Sequence, residues 1–162
     1  MPGRISDIGE TKMFLAKSVV LPVNRGWGYE NGFELACSLT KASRGIIYAI
    51  YVIEVKLEYP LDSEIDEETA KGEETLAYIE DLAKGTKCLV EAQIMQARQA
   101  GPAILQEADN ISADIILLDT KRTHGSNGFP MGRTSSYILK HSLCPVILCQ
   151  RGIENTSKSE RG

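Results

Sequence analysis

The sequence contains little of what metalloproteins, secreted proteins and membrane proteins depend on. Its 162 residues include two histidines and four cysteines, Cys37, Cys88, Cys144 and Cys149, with no CxxC pair and no Cys/His cluster at zinc-site spacing. We therefore expect no metal site, and cysteines that act as small apolar core residues in a reducing compartment. No apolar stretch approaches the roughly 18 residues of a membrane span, and the first residues lack the apolar core of a signal peptide. The sequence predicts a cytoplasmic protein.

The charge balance argues against binding to nucleic acids and to anionic membranes. Lys and Arg number 18 against 22 Asp and Glu, a net charge of −4, so the chain lacks the basic surface that holds phosphate backbones and lipid headgroups. It also lacks a Walker A lysine motif and a Ser-His-Asp order. We predict no nucleic-acid partner, no membrane partner and no enzyme activity, although slow hydrolysis of a bound nucleotide is not decided by the residues.

What the chain does contain is a regular alternation of strand and helix patterns. Apolar runs predict five strands, at residues 18–23, 46–53, 88–95, 113–119 and 145–149. Apolar residues at helical spacing predict the four intervening helices, the last of them over 132–141. This order implies an α/β fold with a parallel sheet and helices on both faces. The more alternating third strand is typical of a sheet edge.

The element order also predicts the domain organisation and the place of a ligand. The length predicts one domain, which we place at residues 16–151, after a polar lead-in at 1–15 and before a disordered tail at 152–162. Ligands of open α/β sheets bind beyond the carboxyl ends of the strands. The loops that follow Val23, Ile53 and Asp119 are therefore the candidate binding loops.

Four short segments resemble one known family. They are Leu21-Pro22-Val23-Asn24 at the end of the first strand, Ile50-Tyr51-Val52 in the second, Ala113-Asp114 at the start of the fourth, and His141-Ser-Leu-Cys144-Pro145-Val146 leading into the fifth. In this order they resemble the universal stress proteins over about residues 16–151. The resemblance implies a Rossmann-like (adenine nucleotide alpha hydrolase-like) sheet of five parallel strands in the order 3-2-1-4-5. It also implies a stress-response regulator that forms a homodimer through the last strand, residues Pro145, Val146, Ile147, Leu148 and Cys149.

The phosphate loop of the family's nucleotide binders, G-x2-G-x9-G-[ST], is altered in this chain. Glycines there let backbone N–H groups approach phosphate oxygens at a helix N-terminus. Counted from Ala113-Asp114, the first two glycine positions hold Asp119 and Arg122, and the third keeps Gly132. The resemblance implies these nucleotide-binding candidates: Pro22, Val23, Asn24, Val52, Leu118, Asp119, Arg122, Gly132, Arg133, Thr134 and Ser135.

The altered loop leaves three interpretations open. Asp119 brings a carboxylate where phosphates are expected, and like charges ~4 Å apart repel by about 4 kcal/mol, which favours loss of tight ATP binding. Arg122 and Arg133 bring positive charge to the same loop, which suits ATP, AMP or another anionic adenylate. In the third interpretation the fold is an interaction module, and the basic loop at 121–133 docks a partner protein. Tyr29, in the first loop, suits either stacking on a base or packing on a helix.

Overall fold

The computed structural model describes residues 15–24, 29–121 and 132–151, without the side chains of Lys121 and Arg151. The elements are β1 (Ser18–Val23), α1 (Glu30–Thr40), β2 (Ile46–Glu54), α2 (Asp66–Thr86), β3 (Leu89–Ala97), α3 (Ala100–Asn110), β4 (Ile115–Lys121), α4 (Arg133–His141) and β5 (Val146–Arg151). The five strands pair in parallel in the order β3-β2-β1-β4-β5. The predicted α/β fold, its strand order and the edge position of the third strand are confirmed.

Helices cover both faces of the sheet because alternate residues of each strand point to opposite sides. On β4, Ile115 and Leu117 belong to the apolar layer under α1 and α2, whereas Ile116 and Leu118 belong to the layer under α3 and α4. Both layers are rich in β-branched and aliphatic residues that fit a sheet buried on two faces. None of the helices in the described residues is long and apolar enough to cross a membrane.

The start of β4 differs from the sequence prediction. Ala113 and Asp114 precede the strand and hold the start of β1: Asp114 Oδ2 accepts hydrogen bonds from the backbone N–H groups of Lys17, at 2.7 Å, and Ser18, at 3.2 Å. The strand then runs through Thr120 and Lys121, which we expected in a loop and which pair with β5. The predicted lead-in, except for Leu15, and the predicted tail lie outside the described residues, so the domain boundaries stay a prediction.

The topology opens a crevice at the carboxyl edge of the sheet. The chain adds β2 on one side of β1 and β4 on the other, which makes the β1–β4 boundary the switch point where ligands of such sheets bind. β1 and β4 are paired at their amino ends, through Val19–Ile115 and Val20–Ile116. The side chains around the far end of this boundary form the candidate site.

Candidate functional site

A cavity of about 740 Å³ lies at the carboxyl ends of β1 and β2. Its volume falls within the range of small-molecule sites, roughly 300–1,000 Å³. The strands, the loop after β2 and the first turns of three helices line it, with these residues: Asn24, Tyr51, Val52, Glu54, Lys56, Tyr59, Ser63, Glu64, Ile65, Glu68, Ala100 and Thr134. We call it the β1–β2 cavity.

Three of the predicted candidates meet in the β1–β2 cavity. Asn24 follows β1 and is exposed, Val52 is half-buried on β2, and Thr134 is the second residue of α4. They come from segments that are far apart in the sequence, and the parallel sheet brings them together because it places the strand ends at one edge. Gly132 is the N-cap residue of α4, so it stands one residue before the helix that carries Thr134.

The other predicted candidates lie elsewhere. Val23 and Leu118 are core residues, in the layers under α1 and α2 and under α3 and α4 respectively. Pro22 is half-buried in the β1–β2 pairing, opposite Ile50. Ser135 is half-buried on α4 but is not among the described residues that line the cavity, and Arg122 lies outside the described residues.

Asp119 points at the first turn of α1. The backbone N–H of Gly32 donates to Asp119 Oδ2 at 2.8 Å. A Cβ added at Gly32 would lie 2.9 Å from Asp119 Cβ, so a glycine is needed for this close approach. The first N–H groups of a helix lack partners within the helix, and a carboxylate there stabilises it. Asp119 therefore caps α1 from the neighbouring strand, and it is not among the described residues that line the β1–β2 cavity.

Tyr29, the N-cap residue of α1, packs on a helix. Its ring meets that of Tyr78 of α2 edge-on, with the ring centroids 6.0 Å apart and 66° between the planes. Burial, and after it the nearby Glu30 carboxylate, raises the pKa of the Tyr29 phenol. Of the two roles that suited this residue, the structure shows helix packing.

Glu54, which the sequence patterns do not single out, links three elements at the edge of the cavity. It is the last residue of β2, and its Oε1 accepts a hydrogen bond from the N–H of Ala100, the first residue of α3, at 3.1 Å. Its Oε2 lies 3.6 Å from Nη2 of Arg133, the first residue of α4. The Arg133 side chain is 89% exposed and that of Glu54 41%, so the ion pair contributes at most about 1 kcal/mol. Its effect is to hold the Arg133 side chain beside a carboxylate.

The loop between β2 and α2 is held in place by two side chains at the end of β3. Arg98 Nη1 donates to the carbonyl oxygens of Val55, Lys56 and Tyr59 at 3.2, 2.6 and 2.9 Å. Gln96 Nε2 donates to those of Leu61 and Ser63 at 3.2 and 2.8 Å. The acidic segment 62–68 therefore forms a wall of the β1–β2 cavity.

A second cavity, of about 450 Å³, continues from the first between α3 and α4. The two share Glu54, Ala100 and Thr134, and the second extends to Lys140 and His141 at the end of α4. In the described ranges, no three His, Cys, Asp or Glu side chains gather in a way that could hold a metal ion. The chemistry available is hydrogen bonding, apolar contact and charge.

Comparisons with known proteins agree on one family. The model of the universal stress protein family matches residues 16–150. A universal stress protein of Methanocaldococcus jannaschii is 23% identical over 145 residues, which cover 85% of this chain and 84% of that protein.

Solved structures of similar proteins share the fold. The universal stress protein from Archaeoglobus fulgidus in complex with dAMP superimposes with a TM-score of 0.64 at 17% identity, over 84% of this chain and 98% of that one. A universal stress protein family protein from Arabidopsis thaliana with AMP bound superimposes with a TM-score of 0.61 at 19% identity, over 86% of this chain and 95% of that one. At these identities the likeness establishes the fold.

Proposed function

The chain belongs to the universal stress protein family, and from that premise we propose that it is a cytoplasmic regulator that binds an adenine nucleotide in the β1–β2 cavity. The observation that carries the proposal is the meeting of Asn24, Val52 and Thr134 in one cavity of ligand size. Two relatives with this fold hold AMP and dAMP, which supports the choice of ligand.

The residues present suit the three parts of a nucleotide. The Asn24 amide has both donors and an acceptor for a base or a ribose, and Val52 offers an apolar wall to the face of a base. Gly132, the N-cap residue of α4, has no side chain to occupy the N–H groups of the first turn. We assign those groups and the Thr134 hydroxyl to a phosphate, which the helix dipole favours.

The charge of the cavity favours a monophosphate over a triphosphate. Among the described residues that line the β1–β2 cavity, the carboxylates Glu54, Glu64 and Glu68 stand against one lysine, Lys56. The negative charge of two of these carboxylates is compensated by nearby cations, since Glu68 lies 3.5 Å from Lys71 and Glu54 pairs with Arg133. A longer phosphate chain would bring more negative charge towards the remaining carboxylate, Glu64, which raises its electrostatic cost. We therefore expect AMP to bind more tightly than ATP.

Calorimetric titration of the full chain with AMP and ATP tests this function. Thr134→Asp should abolish AMP binding, because it repels phosphate while the added carboxylate favours the first turn of α4 and so preserves the fold. Thr134→Ser keeps the hydroxyl and should bind as the wild type does. Glu64→Gln should tighten ATP binding about two- to fivefold, and Glu73→Gln, exposed on α2, should leave it unchanged. If millimolar AMP does not bind, the proposal fails.

We further propose that the regulator is a homodimer through β5. β5 is an edge strand with half-buried aliphatic residues, and Leu143 just before it is 91% exposed. Edges of this kind are normally covered. Sedimentation at micromolar concentrations should report a dimer, and a Leu143→Asp variant should dissociate more readily. A monomer in the wild type would contradict the dimer without affecting the nucleotide proposal. The alternative of a partner-docking loop falls mainly on residues 122–131, outside the described residues.

A further inference from the structure

Two of the four cysteines place their sulfurs beside the same residue at the end of α2. Cys37 Sγ, on α1, is 3.8 Å from Thr86 Oγ1, and Cys88 Sγ is 3.9 Å from Thr86 O. The Cys88 thiol also contributes to raising the pKa of the Cys37 thiol. Both sulfurs therefore lie beside one residue, the last of α2, although they are far apart in the sequence.

The local backbone explains why both thiols lie beside Thr86. Cys37 lies on the buried stripe of α1 together with Phe33 and Ala36. After Thr86 the chain passes through Lys87 in the left-handed conformation, with φ 60°. This turn ends α2 and brings Cys88 back against the apolar layer that contains Cys37. Because α1, α2 and β3 all contribute to that layer, the positions of the two thiols are fixed by the packing of the fold.

The two thiols differ in their access to solvent. Cys88 lines a cavity of about 250 Å³ together with Lys41, Arg44 and Lys87, whereas Cys37 is 8% exposed. Burial, and after it the influence of the Cys88 thiol, raises the pKa of the Cys37 thiol to about 12, so Cys37 is protonated at neutral pH. A small polar oxidant thus reaches Cys88 first and finds Cys37 behind it, an arrangement typical of an attacking and a resolving cysteine.

We propose that Cys88 and Cys37 are a site of oxidation by peroxides and that the product is an intramolecular disulfide. The Cys88 sulfur attacks one oxygen of hydrogen peroxide, the O–O bond breaks, and a sulfenic acid and water form. The Cys37 sulfur then attacks the Cys88 sulfur, the S–O bond breaks, and the Cys37 proton leaves with the hydroxide as a second water. Two thiols lose two electrons, one peroxide gains them, and the products are one disulfide and two waters.

The geometry is suited to this bond. A disulfide requires a sulfur–sulfur distance of about 2.05 Å and Cβ atoms roughly 3.8 Å apart, so the two thiols, which both lie within 4 Å of Thr86, have to approach each other for the bond to form. The pair lies under the C-terminal half of α1 and next to the start of β3, whereas the β1–β2 cavity lies at the carboxyl ends of the strands. Its oxidation is therefore independent of the proposed nucleotide site.

Mass spectrometry of the full chain tests the proposal directly. The reduced protein is treated with a small excess of hydrogen peroxide, alkylated and digested with trypsin. The expected result is a linked pair of the peptides 26–41 and 88–98, an intact mass lower by about 2 Da for the two lost hydrogens, and reversal by dithiothreitol. The peptide 141–151, which carries Cys144 and Cys149, should remain alkylated and serves as the internal control.

Cysteine variants distinguish this pair from other oxidation products. Cys88→Ser and Cys37→Ser should each abolish the linked peptide, Cys37→Ser should leave a sulfenic acid at Cys88 that dimedone traps, and Cys144→Ser should change nothing. The wild-type digest decides the matter even if a variant fails to fold. Cys88 that stays a sulfenic acid in the wild type, or links with Cys144, Cys149 or a second chain, would overturn the proposal.

Discussion

Replacing Asp119 by alanine should destabilise the protein through the first turn of α1. The hydrogen bond from Gly32 N to Asp119 Oδ2 is 2.8 Å long, and the ring of the N-cap residue Tyr29 is packed against Tyr78. A hydrogen bond to a charged group contributes about 1.5–3 kcal/mol, and a carboxylate near a helix N-terminus adds about 0.3–1 kcal/mol. We expect Asp119→Ala to lower the free energy of unfolding by about 2–3 kcal/mol.

A second variant separates the hydrogen bond from the charge. In Asp119→Asn the side chain keeps its size and one acceptor oxygen for Gly32 N, and it loses the negative charge that interacts with the helix dipole. We expect this variant to lose about 1 kcal/mol, less than half of the alanine effect. The difference in unfolding free energy between the two variants measures the contribution of the acceptor oxygen.

Urea unfolding, followed by far-ultraviolet circular dichroism, gives both values from the shift in midpoint at unchanged slope. AMP titration of Asp119→Asn should give nearly the wild-type affinity, because Asp119 is directed at α1. The reasoning is refuted if Asp119→Ala costs less than about 0.5 kcal/mol, or if asparagine costs as much as alanine. Loss of AMP binding in a stable Asp119→Asn protein would instead place this carboxylate at the ligand.

Two further predictions concern the packing of the helices and the buried thiol. Gly101→Ala should lower stability by about 1–3 kcal/mol, because the new Cβ would lie 2.8 Å from Tyr137 Cδ1. Gly85→Ala has no described atom within 4 Å of its Cβ, and it should raise stability by up to about 1 kcal/mol. If urea unfolding shows equal effects for the two variants, the packing argument is contradicted. With reductant present, the free energy of unfolding of the wild type relative to Cys37→Ser should fall above about pH 9, by at most about 1.4 kcal/mol per pH unit. The reason is that the pKa of Cys37 is raised from 9.0 to about 12 in the folded protein, so the unfolded chain loses that proton first. A difference between the two proteins that stays constant up to about pH 10.5 would refute this.

The fold could be predicted because its signal is local and repeated. Runs such as Val19, Val20 and Leu21 are apolar without alternation, and all three are fully buried, as a strand covered on both faces requires. The prediction was wrong at the start of β4, where Ala113 and Asp114 directly precede the apolar run but Asp114 binds the backbone of β1. A side chain that bonds a distant backbone leaves no trace in periodicity.

Part of the candidate site could be predicted and part could not. Asn24, Val52 and Thr134 were found because the family resemblance marks the ends of β1 and β2 and the start of α4. Glu54 and Tyr59 were missed, although Glu54 lies at the carboxyl end of a strand, where ligands of open α/β sheets bind. Tyr59 lies at the cavity because Arg98 donates a hydrogen bond to its carbonyl oxygen and so fixes the loop. This contact joins residues that are far apart in the sequence.

By itself, the sequence determined the order of strands and helices, the parallel sheet they form and the family resemblance, because these depend on patterns within short segments. The tertiary structure decided what particular side chains do: Asp119 caps α1, Glu54 holds Arg133, and Cys37 and Cys88 both lie beside Thr86. These roles depend on which side chains the folded sheet brings within a few ångströms, and the residue types alone do not specify those neighbours.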